Sequence, residues 1–104
     1  MIIYVDIDET ICDYTGKREY ALASPIYKNI GIINKMYDDG ATIVYWTARG
    51  TQNGIDYTEL TTGQLNQWGA KYHEIRLGKP QYDLFICDKA VNSRIFFEER
   101  LIND

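Results

Sequence analysis

The chain has 104 residues, 45% of them hydrophobic and 25% charged, with a formal net charge of −4 at pH 7. That length holds a single domain over residues 1–104 and leaves little for a separate lid. The acidic balance argues against a chain whose main work is gripping nucleic acid or an anionic membrane surface, because both need a basic face.

The chain opens with Met1-Ile2-Ile3-Tyr4-Val5-Asp6. Its apolar run is too short, and too soon followed by acids, for a signal peptide or a membrane span, so a cytoplasmic location is expected. Residues 2–6 are β-prone throughout, as expected of a strand covered on both faces. The polar and aromatic stretch Ile11 to Ala23, with a turn at Thr15-Gly16, suggests a small flap over the strand ends. Ser24 then reads as a helix cap with Pro25 at the first helical position. Ile26, Ile30, Ile33 and Tyr37 follow at helical spacing, and Gly40 ends the element.

A second strand is expected over 41–46. A helix follows, opened by Asp56-Tyr57-Thr58-Glu59 with Asp56 as cap, striped by Tyr57, Leu60, Gln64, Leu65 and Trp68, and closed by Gly69. A weaker strand covers 72–76, a fourth covers 84–87, and a last helix starts near Asn92 or Ser93, burying Ile95, Phe96 and Leu101. Strand-helix alternation predicts an α/β, Rossmann-like three-layer sandwich around a parallel sheet of about four strands. One link strains this picture. Only Leu77 to Tyr82 separates the third and fourth strands, whereas a parallel crossover usually takes a dozen residues or more.

Ligands of open parallel sheets bind beyond the carboxyl ends of the strands. Strand one delivers Asp6, Asp8 and Thr10 there, strand two delivers Thr47-Ala48-Arg49-Gly50, Lys79 follows strand three, and strand four leads to Asp88. Phosphoryl transfer to a carboxylate needs such a set. A carboxylate nucleophile splits one hard hydrolysis into two easier steps. Two unit charges of like sign at ~4 Å repel by about 4 kcal/mol at an effective dielectric near 20, so cations are required. Mg²⁺ suits carboxylates and phosphate oxygens. Lys79 adds a fixed charge, Thr47 adds a neutral donor, and Asp8 is spaced to pass protons.

This series resembles the haloacid dehalogenase superfamily: Asp-x-Asp-x-Thr after the first strand, Thr after the second, then Lys, then an acid after the fourth. Thr47-Ala48-Arg49-Gly50 and Gly78-Lys79-Pro80-Gln81-Tyr82-Asp83, leading to Asp88-Lys89-Ala90, look like short, capless phosphatases associated with bacterial capsule biosynthesis. The resemblance spans residues 2 to about 95. It implies a haloacid dehalogenase-like core without a cap domain, Asp6 as nucleophile and metal ligand, and Asp8 as acid/base that gives its carbonyl to Mg²⁺. It further implies that Thr47 and Lys79 hold the phosphoryl group and that Asp88 completes the metal site. Cys87 departs from the family's usual acidic pair, and Asn92 is the expected support for a metal-bound water.

Arg49 reads equally as a substrate contact or as the partner of an acid. Asp83, a strand length from Asp88, is expected to be structural, and so is His73. Lys17 and Arg18 read as solvated charges, and Cys12 and Cys87 as reduced thiols. The expected activity is hydrolysis of a small phosphomonoester such as a sugar phosphate or capsule precursor. The alternatives are a polynucleotide end-phosphatase, disfavoured by acidity, and a phospho-accepting receiver module, disfavoured by motif order. With no cap, a large substrate or a neighbouring subunit in a homo-oligomer is expected to cover the site.

Overall fold

Ile2–Val5 (β1) lies parallel to Thr42–Trp46 (β4), with Ile2 opposite Thr42 and Val5 opposite Tyr45. Glu74–Arg76 (β5) lies parallel to the other side of β4, so the sheet order is β1-β4-β5. β4 is central for a reason visible in its composition. Ile43, Val44 and Tyr45 are all buried, and such β-branched and aromatic residues suit a strand covered on both faces. The computed structural model describes residues 1–103, with side chains described through Arg100.

Three helices accompany the sheet: Tyr27–Asp38 (α1), Thr58–Gln67 (α2) and Ser93–Asn103 (α3). α1 buries Ile30 and Ile33, and α2 buries Leu65. They meet Val5, Ile7, Ile43, Tyr45, Trp68 and Phe97 in one core. Each such side chain contributes on the order of 1.5–3 kcal/mol when fully buried. Asp56, expected as the cap, stands one residue before it: Tyr57 is the N-cap of α2 and makes no side-chain cap bond, while the Asp56 carboxylate accepts from the Thr58 N–H at 2.9 Å. Gly40 ends the α1 segment at φ 105°. No separate cap domain is present among the described residues, and no described helix is long and apolar enough to cross a membrane.

Three further expectations need correction. Ser24 and Pro25 do not begin the helix. They form a short strand (β3) antiparallel to Cys12–Asp13 (β2). The flap therefore takes both residues, and the Ile26 N–H reaches the Ile11 carbonyl at 2.8 Å before α1 starts.

The sheet also has three strands instead of four. Residues 84–87 carry no regular structure, and Leu84, Phe85 and Ile86 are 75%, 55% and 87% exposed. The outer edge of β1 consequently has no partner strand, and Ile2 on it is 71% exposed.

In α3, Ile95 is exposed and Phe97 takes the core position. The Leu101 side chain lies outside the described residues. The cap of α3 matches expectation, with the Asn92 side-chain oxygen Oδ1 accepting from the Arg94 N–H at 3.0 Å.

Candidate active site

Beyond Val5 the chain turns sharply. The N–H groups of Thr10 and Ile11 both return to the Ile7 carbonyl, and the Glu9 N–H bonds the Cys12 carbonyl. Glu9 sits at φ 63°, a left-handed conformation uncommon for a residue other than glycine. This turn folds Cys12 and Tyr14 back over Asp8.

The Asp6 carboxylate is held by two donors. Its Oδ1 accepts from the Ile7 N–H at 2.9 Å and its Oδ2 from Lys79 Nζ at 3.1 Å. Lys79 is carried to the sheet end by its own backbone, whose N–H bonds the Thr47 carbonyl at 3.0 Å. Its carbonyl accepts from the Thr51 hydroxyl at 2.8 Å. Burial works against the Lys79 charge, but Asp6 outweighs it and raises the ammonium's pKa above its ordinary value. The ammonium also lies 5.6 Å from the ring centres of Trp46 and Tyr82.

Asp6 and Lys79 open into a cleft of about 480 Å³, walled also by Ala48, Gln81, Tyr82 and Asp83. Asp83 was expected to be structural, a strand length from Asp88. Because residues 84–87 form no strand, it stands instead on the wall of the Asp6 cleft.

Asp8 lies in a cage of donors. Arg49 grips it with two bonds, Nε to Oδ2 at 3.1 Å and Nη2 to Oδ1 at 2.9 Å. The Tyr14 hydroxyl and the Cys12 thiol also donate to Oδ1. Burial alone would raise the Asp8 pKa, but the bonds from Arg49 and Tyr14 outweigh it and hold the carboxyl below its ordinary value. The same burial, with Asp8 beside it, pushes the Cys12 thiol up to about 12, so it stays protonated.

The Arg49 side chain is 0% exposed. Its Nη1 donates to Gln64 at 2.6 Å and to Thr61 at 3.2 Å, and Tyr20 covers its plane at 4.9 Å. Expected as a possible substrate contact, Arg49 is instead closed off and committed to Asp8. Arginine suits this task because its planar fork matches a carboxylate.

Thr47 is 1% exposed, and its hydroxyl oxygen accepts from the Arg49 N–H at 3.1 Å. It shapes the turn after β4 and does not line the Asp6 cleft. His73 is structural, its Nδ1 accepting from the Ile43 N–H at 3.1 Å and its ring stacked on Tyr37. Lys17 and Arg18 make exposed pairs with Glu19 and Glu9, and the Arg18 guanidinium also lies 5.5 Å from the Tyr14 ring centre.

The metal set implied by the resemblance is the carboxylates of Asp6 and Asp88 with the carbonyl of Asp8. Among the described residues no group of three His, Cys, Asp or Glu side chains is placed to hold an ion. Asp88 is exposed in the segment that forms no strand. Asn92 lines a different hollow, of about 580 Å³, with Glu9, Thr10 and Asp13. Asp6 is available to a cation at the cleft.

Tyr14, Gln64 and Thr61 are site residues that sequence reasoning missed. Tyr14 carried a usable signal, a hydroxyl six residues past Asp8 in a flap expected to fold over the strand ends. Gln64 and Thr61 looked like ordinary positions of an amphipathic helix.

No family model and no curated protein matches the chain. Among solved structures it is similar to a crystal structure of an MCSG target from Vibrio cholerae, with 25% identity, a TM-score of 0.83, and coverage of 98% of this chain and 94% of that one. That likeness concerns the fold.

Proposed function

We propose that this chain is a phosphatase that hydrolyses a small phosphomonoester through an aspartyl-phosphate on Asp6, with a haloacid dehalogenase-type core. The observation that carries the reading is the Asp6–Lys79 pair at 3.1 Å on the wall of an open cleft. A carboxylate beside a fixed ammonium can meet a phosphate dianion, because the lysine offsets part of the repulsion.

In the first step an Asp6 oxygen forms a bond to phosphorus and the bond from phosphorus to the substrate's alcohol oxygen breaks. In the second, water attacks the phosphorus of the aspartyl-phosphate, inorganic phosphate leaves, and the Asp6 carboxylate is restored. Asp8 is the group for proton traffic, giving a proton to the leaving oxygen and taking one from water. Its cage favours the ionised form, which suits acceptance from water more than donation. Substrates with an acidic leaving oxygen should accordingly react fastest. Mg²⁺ belongs to this reading through the family resemblance, and when bound it would supply further positive charge against the phosphoryl oxygens.

A sugar phosphate or capsule precursor is the substrate class that the flanking residues suggest, in a cytoplasmic setting, with no nucleic acid or membrane partner. The test is phosphate release from p-nitrophenyl phosphate with Mg²⁺ present. The wild-type chain should turn over and Asp6→Asn should not. Equal release by both would end this reading.

A further inference from the structure

Asp88 is exposed in a segment that forms no strand, and chain length explains why it cannot stand beside Asp6 on a strand paired with β1 of its own molecule. To stand level with Asp6 on a strand parallel to β1, Asp88 requires Leu84 level with Ile2. Lys79 is fixed at the opposite end of the sheet, its N–H on the Thr47 carbonyl and its carbonyl on the Thr51 hydroxyl.

From there to Leu84's required position is about 16 Å down the strands and about 14 Å across three strand spacings, roughly 21 Å in a straight line. That line passes through β1 itself, and a path over the side chains of either face is longer. The five residue steps from Lys79 to Leu84 span at most about 18 Å when fully extended. An antiparallel approach is shorter, but it would carry Asp88 to the wrong end of β1.

The molecule nevertheless holds both halves of a strand pair. The outer edge of β1 is open, with Ile2 71% exposed. The β-prone run Leu84-Phe85-Ile86-Cys87 stands in solvent with Ile86 87% exposed. Open strand edges are templates for pairing with another chain, and a short hinge that cannot close on its own molecule favours exchange with a neighbour.

We infer that two copies of this chain exchange residues 84–88. Each lays its segment along β1 of the other, and the Asp88 of one copy enters the Asp6 cleft of its neighbour. Reciprocal exchange is two-fold and closed, so it ends at a dimer. It covers Leu84, Phe85, Ile86 and Ile2 together and sets an Asp88 beside each Asp6. The inference rests on the reading of Asp6 and Asp88 as parts of one site.

Sedimentation velocity on the full chain should give twice the mass of one chain at micromolar concentration. Inserting about eight Gly/Ser residues between Gln81 and Tyr82 provides the reach for closure within one molecule, and should return the mass to that of a monomer. A wild-type monomer, or a dimer that the insertion leaves intact, overturns the exchange.

Asp6→Asn and Asp88→Asn, each inactive alone, are then unfolded together and refolded as a mixture. Half the dimers are mixed, and each has one intact site made from both chains, so about a quarter of wild-type turnover of p-nitrophenyl phosphate should return. No recovery, or full activity of Asp88→Asn alone, also overturns it. Absence of turnover by wild type defeats the phosphatase reading instead, and the mass and insertion measurements still decide the exchange.

Discussion

The Arg49 guanidinium and the Asp8 carboxylate form a two-pronged ion pair, with the arginine side chain 0% and the aspartate 12% exposed. Removing one partner of a buried pair strands the other, at a cost of about 3–5 kcal/mol. Arg49→Met should therefore lower the stability measured by urea unfolding at pH 7 by about that amount. Asp8→Leu combined with Arg49→Met should lower it less, because no orphan charge remains. A loss in the double variant equal to the sum of the two single losses would mean that the two residues act independently.

The same pair has a pH signature. The folded pKa of Asp8 lies below its ordinary value of 3.8. Its contribution is present above that value and is lost as pH falls through the folded pKa. The stability gap between wild type and Arg49→Met should be constant from about pH 8 to 5 and narrow below about pH 4. A gap that narrows on the alkaline side instead would assign it to another group.

Lys79 is the one cation facing Asp6 within hydrogen-bond distance among the described residues. Lys79→Met should reduce phosphate release by about 10²–10³-fold, the usual loss when a donor to a developing oxyanion is removed. Since Asp6 raises the pKa of Lys79, its charge is constant across neutral pH. Any change in rate between pH 6 and about 9 must then come from other groups. Steady-state rates over that range check both statements.

The sequence shows most where local chemistry and burial agree. Ile43 to Tyr45 had to be a covered strand, a helix had to start just after Asp56, and Asp6 with Lys79 had to face one another at a strand end. It misleads where a long-range partner decides. Ser24-Pro25 is a good helix start in isolation, yet pairing with Cys12–Asp13 takes it into a hairpin. Residues 84–87 have strand composition, yet the tether at Lys79 withholds them from their own sheet. Arg49 looked equally suited to a ligand or an acid, and the choice depended on Thr61 and Gln64 in α2, whose bonds to Arg49 no local pattern reveals.

Gly50 lies just past Arg49 at φ 85°, and a Cβ there would stand 2.1 Å from the Ile55 carbonyl oxygen. The backbone conformation and the contact both exclude a side chain, so the loop must shift to admit one. Gly50→Ala should destabilise by on the order of 1–3 kcal/mol. It should also lower turnover, since the loop it moves carries Arg49. Circular-dichroism melting and a turnover assay test the two effects separately. A variant with unchanged melting would show that the loop yields freely.

Tyr45 offers the opposite case, a change expected to help. It is 0% exposed in the central strand, and its hydroxyl has no hydrogen-bond partner among the described residues. A buried polar group without a partner loses its hydration and gains nothing in return. Tyr45→Phe removes that oxygen and keeps the ring, including its edge contact with Tyr72 at 6.3 Å. The expected gain is about 1 kcal/mol, which for a domain of this size raises Tm by about 4–8 °C. The residue is far enough inside the core that turnover should not change. A lower Tm would reveal that the hydroxyl is bonded in solution, and it would make Tyr45 a polar anchor of the sheet.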